Sequence, residues 1–121
     1  MNSELIQEIS DLKHQIQSYD CGKIIINQQA YTTPVYFSED TEVKHWPITD
    51  LQSLTLAALQ SICFDSDHIL IIGTGQEHQT IDLKLIAKSN LSIEYMRTQA
   101  ACHTYTLLAQ EKRPVIAALI L

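Results

Sequence analysis

The stretch that decides the fold is Ile69-Leu70-Ile71-Ile72-Gly73-Thr74-Gly75, in which four consecutive apolar residues are closed by two glycines around a threonine. A strand that is apolar on both faces is typical of a sheet covered on both sides, as in parallel α/β proteins. Glycines directly after such a strand allow a tight turn into the next element. The segment therefore predicts a central, fully buried strand with a turn at its end.

The segments that follow this strand alternate between helix and strand. Thr80 is the predicted cap of a first helix, and residues 91–96 form a mostly apolar strand. Thr98 is the predicted cap of a second helix that ends near Lys112 and leads into a last apolar strand, 115–121. Because strands that alternate with helices form parallel sheets, the second half of the chain predicts an α/β sandwich.

The first half of the chain has a different pattern. Residues 15–18, 23–27 and 31–37 carry β-branched and aromatic side chains separated by short turns, which predicts an antiparallel meander. Pro34 makes the third strand an edge or bulged strand, since proline cannot donate a ladder hydrogen bond. Helical spacing over 51–62 predicts a helix between the meander and the central strand.

Domain organisation follows from the same pass along the chain. Apolar residues spaced four, three and four apart between Leu5 and Ile16 predict an amphipathic helix in the first dozen residues. No Gly/Ser-rich or Pro-rich linker divides the remainder. We therefore expect a helical extension at 1–13 and a single domain at 14–121.

Composition excludes several classes of function. The 121 residues include 8 basic and 14 acidic ones, and the net charge of -6 repels a phosphate backbone, so nucleic acid is not expected as a partner. Three cysteines form no CxxC pair and cannot complete a disulfide framework, which indicates a reducing compartment. The acidic N-terminus is unlike a secretory or transit signal, and the longest apolar run, 115–121, is far shorter than a membrane span. We expect a cytoplasmic protein with no membrane insertion.

No catalytic, metal or cofactor site is expected from the motifs. The turn at Gly73 and the acidic Glu94 in the next strand are similar to a dinucleotide-binding unit, but His78 stands where that motif needs its third glycine. Cys102 and His103 are adjacent on a predicted helix and point about 100° apart, so they do not form a nucleophile and base. The histidines lack the spacing of metal ligands.

One candidate ligand cleft remains. Open α/β sheets bind ligands at the carboxyl ends of their strands, where backbone amides at a helix N-terminus also hold anions. Arg113 supplies a positive charge for such a site, or else it forms an ion pair at a helix end with Glu111. Arg97 adds to the same patch. The candidate cleft therefore consists of Gly73, Thr74, Gly75, Thr98, Tyr105 and Arg113.

Several segments in a fixed order carry a family resemblance. They are Gly22-x-Ile24-x-Ile26-Asn27-x-x-x-Tyr31, then Trp46, then 69–75, then Thr98-x-Ala100-Ala101-Cys102-x-Thr104-Tyr105, and finally Arg113-x-Val115-x-Ala117-Ala118-Leu119. Over residues 15–121 the chain resembles the Mth938-like family (DUF498), a domain of unknown function shared with a mitochondrial respiratory complex I assembly factor. The resemblance implies a three-layer α/β fold, with a mixed central sheet, helices on its faces and a small antiparallel β layer from the N-terminal half.

The resemblance implies a partner-binding assembly protein rather than an enzyme. This chain departs from the family pattern at Thr106, where asparagine is expected, and at Arg97, where an acidic residue is common, so the resemblance does not extend to a polar site carried by those positions. The lack of a transit segment argues against the mitochondrial setting.

Three functional hypotheses follow. The first is a non-enzymatic cytoplasmic protein that binds another protein during assembly of a membrane or respiratory complex, through exposed aromatic residues of the N-terminal half. The second is a small-molecule or anion-binding protein, or an unrecognised enzyme, with its cleft at Gly73-Thr74-Gly75. The third is a homodimer that uses the aromatic surface. The residues of that surface are Tyr19, Tyr31, Tyr36 and Trp46.

Overall fold

The computed structural model describes residues 11–48, 50–63 and 65–121. Among them, strands are β1 Ile16–Asp20, β2 Lys23–Ile26, β3 Gln29–Tyr31, β4 Val35–Ser38, β5 Lys44–His45, β6 Ile69–Thr74, β7 Ser92–Met96 and β8 Val115–Ile120. Helices are α1 Leu56–Ile62, α2 Leu83–Ser89 and α3 Thr98–Gln110, with a short 3-10 helix at Leu51–Ser53. This is the mixed α/β architecture that the sequence predicts.

The central sheet has five strands in the order β5-β4-β8-β6-β7. Strand β6 runs parallel to both β7 and β8, whereas β4 is antiparallel to β8 and β5. In β6, Leu70, Ile71 and Ile72 are fully buried, which confirms the interpretation of that stretch as a strand covered on both faces.

The meander is confirmed in β1 and β2, but the predicted third strand is divided. Its first part contributes to β3, which completes the small sheet β1-β2-β3, and its second part is β4 in the central sheet. Pro34 lies at the break, where its carbonyl accepts a hydrogen bond from the Trp46 N–H at 2.9 Å. Because proline has no N–H of its own, the ladder ends there and the chain crosses from one sheet to the other.

Two apolar cores lie on opposite faces of the central sheet. The first joins the sheet to α3 and the small sheet, with Ile24, Phe37, Ile71 and Tyr105 among its members. The second joins the sheet to α1, α2 and the 3-10 helix. The molecule is therefore three-layered, with α3 and the small sheet in one layer.

The helix boundaries differ from the predicted ones for local reasons. The predicted helix 51–62 is interrupted because Leu54 is extended and Thr55 caps α1 by accepting from the Ala58 N–H at 3.1 Å. Helix α2 is capped by Asp82 rather than Thr80, since the Asp82 carboxylate accepts from the Lys84 N–H at 2.9 Å.

The predicted helical extension at 1–13 can be compared with the structure only from residue 11, because residues 1–10 lie outside the described residues. Lys13 is not helical: its N–H donates to Glu39 Oε1 at 2.6 Å. Ile16, the last residue of the helical spacing, begins β1 instead. Cross-strand pairing of Ile16 with Ile26 therefore replaces helical packing at that end of the pattern.

Candidate functional site

Thr98 lies at the point where β6, β8 and α3 meet. Its side chain is fully buried, and its hydroxyl donates to the Ile120 carbonyl while accepting from the Gly75 N–H at 2.8 Å. The Thr98 N–H donates in turn to the Gly75 carbonyl at 3.0 Å. The predicted capping role of Thr98 is wrong, because this hydroxyl joins two strand ends and Arg97 occupies the cap position without a side-chain hydrogen bond.

This junction closes the turn at which the sequence predicts a ligand cleft. Gly73, Thr74 and Gly75 are all buried, and the Thr74 hydroxyl donates to the Glu77 carbonyl at 2.8 Å. The Gly75 amide is already bonded to Thr98. The turn thus presents no open cradle of free amides at these three residues, which is what an anion would need.

The other two members of the predicted cleft lie elsewhere. Tyr105 is fully buried in the middle of α3 and donates to Glu39 Oε2 at 2.6 Å; burial, aided by Glu39, raises its pKa far above the usual value. Arg113 is exposed and precedes β8, whose first residue pairs with the start of β6.

Arg113 and the Gly73 turn therefore lie at opposite ends of the same strands, separated by a strand length of about 17 Å. The expectation that Arg113 and Tyr105 face the turn is wrong. Arg97 is the arginine beside the turn, where it lines a cavity of about 210 Å³ together with Gly75 and Gln99.

The four aromatic residues proposed as a partner surface do not form one patch. Trp46 is only 1% exposed and belongs to the second core, so its assignment to the surface is wrong. Tyr36 packs against the same core, whereas Tyr19 and Tyr31 pack against the first core on the other side of the central sheet. The tyrosines are half-buried packing residues at separate places.

A groove between β1 and α3 is the candidate partner site that the structure shows instead. It has a volume of about 610 Å³. None of its wall residues is an aspartate, glutamate, lysine or arginine, although 18% of the chain is charged. The wall consists of Ile16, Gln17, Ser18, Tyr19, Gln99, Cys102, His103, Thr106, Leu107 and Gln110.

The helical wall of this groove has the spacing of a packing face. Gln99, His103, Thr106 and Gln110 lie four, three and four residues apart, so they form one stripe along α3. Leu107 stands beside the stripe and is 60% exposed. The sequence signal for this site is Leu107, a leucine on the face of the helix opposite the core residue Tyr105, and it is not aromatic like the residues of the predicted surface.

Cys102 forms the buried floor of the groove. Its thiol is nearly inaccessible, and burial raises its pKa to about 12, so it is protonated at neutral pH and unsuited to nucleophilic attack. His103, its neighbour in sequence, is exposed on the helix. Among the described residues, no group of three or more histidine, cysteine, aspartate or glutamate side chains is placed to hold a metal ion.

The raised pKa of Cys102 predicts a loss of stability at alkaline pH. In the unfolded chain the pKa of a cysteine is about 8.5. Above that pH the unfolded state loses the Cys102 proton while the folded state keeps it, so unfolding is favoured. The contribution is complete below about pH 8.5 and is lost as pH rises toward about 12, at up to about 1.4 kcal/mol per pH unit. Urea unfolding of the wild type and Cys102→Ser from pH 7.5 to 10.5 measures this, and a constant stability difference between the two would contradict it.

Comparison with known proteins gives consistent matches over nearly the whole domain. The family model described as protein of unknown function (DUF498/DUF598) matches residues 16–120. The "13 kDa major membrane protein" of Francisella tularensis is 32% identical over 108 residues, which cover 86% of this chain and 88% of that protein.

Two solved structures extend the comparison to the fold. An NMR structure from Xanthomonas campestris is 26% identical to this chain and has a TM-score of 0.80. The match covers 91% of this chain and 86% of the Xanthomonas chain. A Bordetella pertussis protein described as a Mth938-like domain shares the fold at a TM-score of 0.70 and 23% identity, covering 87% and 84% of the two chains. Within the described part of this chain, no helix has the length and apolar character that crossing a membrane requires.

Proposed function

The chain belongs to the DUF498/DUF598 family of proteins of unknown function, and from that premise we propose that it is a non-enzymatic, cytoplasmic protein-binding domain that takes part in assembling a membrane or respiratory complex. The observation that carries the proposal is the groove between β1 and α3, whose wall contains no aspartate, glutamate, lysine or arginine. The name of the Francisella tularensis relative, a major membrane protein, supports a membrane-associated partner.

The shape of the groove favours an amphipathic helix as the bound segment. The stripe from Gln99 to Gln110 spans about 16 Å at the rise of an α-helix, which matches about three turns of a second helix. A wall without carboxylates, lysine or arginine favours the apolar face of such a helix, because a charged side chain would be desolvated there without a partner of opposite charge. Leu107 supplies the exposed apolar side chain on which that face would pack.

The side chains of the groove are suited to binding rather than to catalysis. Cys102 is buried with a raised pKa, and Thr106 donates its hydroxyl to the Cys102 carbonyl at 3.0 Å. These groups are held by their own helix and are not arranged around a reacting atom. The groove offers apolar area and amide side chains, which are the components of a protein interface.

Leu107→Asp is expected to reduce partner capture at least tenfold, because it places a charge against the apolar face of the bound helix. Leu83→Asp is the matched control: Leu83 is 72% exposed on α2, outside the groove, so the same substitution there should leave capture unchanged. The measurement is quantitative mass spectrometry of protein captured from native lysate by equal amounts of wild type and each variant.

The unfolding midpoints of both variants should remain within a few degrees of the wild type, since both leucines are exposed. Equal loss of the partner in the two variants would show a general effect of surface charge. Capture that is unaffected by Leu107→Asp would remove the groove as the binding site, and capture of only further copies of the chain would replace the proposal by homodimerisation.

A further inference from the structure

Strand β7 forms one edge of the central sheet, and we propose that this edge binds an extended, basic segment of another protein as an additional strand. It pairs with β6 on one side, and among the described residues no strand pairs with its other side. An edge strand presents unpaired N–H and C=O groups, which extended peptides use when they add to a sheet. The five residues Ser92–Met96 are as long as an average strand.

Strand β7 is open to another strand along its hydrogen-bonding edge, whereas its two faces are partly covered. Ile93 and Tyr95 are half-buried against the second core, and the ring of His78 stacks on that of Tyr95 with centroids 5.9 Å apart and planes at 20°. On the opposite face, Met96 packs against the first core. An added strand therefore continues a sheet that is already supported from both sides, which favours backbone pairing over burial of a large apolar patch.

The charges along β7 indicate a basic occupant. Glu94, at the middle of the strand, is exposed and has no ion pair among the described residues. The Ser92 hydroxyl donates to the Ser66 carbonyl at 3.3 Å, which places the next residue, the exposed Asp67, near the start of the strand.

Glu94 is the one acidic side chain within β7, and Arg97 follows the strand directly after Met96. A lysine or arginine opposite Glu94 forms the favourable cross-strand pair.

A second copy of this chain is a poor occupant of the same edge. Two β7 strands related by a two-fold axis pair antiparallel, and full overlap of the five residues places Glu94 opposite its own counterpart. Like charges directly opposite each other destabilise a strand pair. The charge pattern therefore selects a different protein, with a basic residue among uncharged residues of high strand propensity.

The probe is a nine-residue peptide of alternating threonine and valine with one central lysine, compared with the same peptide carrying a central glutamate. In ¹⁵N-labelled protein, amide shifts on titration should concentrate at residues 92–96, and the lysine peptide should bind at least threefold more tightly than the glutamate peptide. Glu94→Lys should reverse that preference. Glu111→Lys, which makes the same change in net charge at an exposed position outside β7, should leave the preference intact.

Shifts confined to the β1–α3 groove, or a preference that Glu94→Lys leaves unchanged, would overturn the proposal. Absence of binding by both peptides at millimolar concentration would do the same. A concentration-dependent dimer with intermolecular contacts at 92–96 would assign the edge to a second copy. None of these results depends on the groove variants, so the two binding sites are tested separately.

Discussion

Replacing Trp46 by alanine is expected to lower the free energy of unfolding by about 4 kcal/mol. The side chain is 1% exposed and packs in the second core with residues of the 3-10 helix, α1 and β6, among them Leu51, Leu59 and Ile72. Truncation removes the largest side chain of that core and leaves a cavity that rigid strands cannot fill. Its backbone N–H donates to the Pro34 carbonyl and so continues the pairing of β4 with β5.

Urea unfolding followed by far-ultraviolet circular dichroism measures this loss. Trp46→Phe, which keeps an aromatic ring and most of the volume, should cost roughly half as much or less. Tyr31→Ala is the comparison at a half-buried aromatic residue: Tyr31 lies at the edge of the small sheet, so its truncation should cost only about 1 kcal/mol. A cost below about 1 kcal/mol for Trp46→Ala would show that the indole is a surface group after all.

The sequence predicts the fold well where the apolar pattern is unambiguous. The runs at 69–72, 91–96 and 115–121 correspond to β6, β7 and β8. Strands β6 and β8 are largely buried and have no charged positions that imitate another period, whereas β7 alternates the exposed Ser92 and Glu94 with half-buried residues. The split of the predicted strand 31–37 was harder to predict. Pro34 indicated a disturbance, but a single proline does not say whether the chain bulges or changes sheet.

The candidate site was predicted poorly because residue type says little about depth. Trp46 and Tyr105 are amphipathic side chains that suit surfaces as well as cores, and only their packing in the two cores shows that they are buried. Arg113 was assigned to the wrong end of the sheet, because a residue that precedes β8 lies at the amino end of that strand, and β8 runs parallel to β6, whose carboxyl end carries the Gly73 turn. The groove lies where the small sheet leaves a face of α3 uncovered, which is a property of the tertiary structure. In the sequence, Leu107 alone indicates that face.

Gly73→Ala is expected to lower the free energy of unfolding by about 3 kcal/mol, although glycine to alanine is usually favourable inside regular structure. A Cβ at position 73 would lie 2.6 Å from Thr98 Oγ1 and 3.1 Å from the Thr98 Cα. The hydroxyl cannot rotate away without losing its bonds to the Gly75 N–H and the Ile120 carbonyl, and the backbone cannot move without separating α3 from β6. Overpacking is therefore coupled to loss of buried hydrogen bonds, which is why the cost exceeds that of a single added methyl group.

Two further variants separate the steric effect from ordinary backbone strain, with urea unfolding of every variant as the measurement. Gly22 lies in a turn with φ +78, but the atom nearest to an added Cβ is 3.7 Å away. Gly22→Ala should therefore lower the free energy of unfolding by only about 1 kcal/mol. Thr98→Ala removes the atom closest to the new methyl group, so the double variant Gly73→Ala/Thr98→Ala should lose at least about 0.5 kcal/mol less than the sum of the single losses. Strict additivity, or a cost for Gly73→Ala no greater than for Gly22→Ala, would show that the turn has room for a side chain.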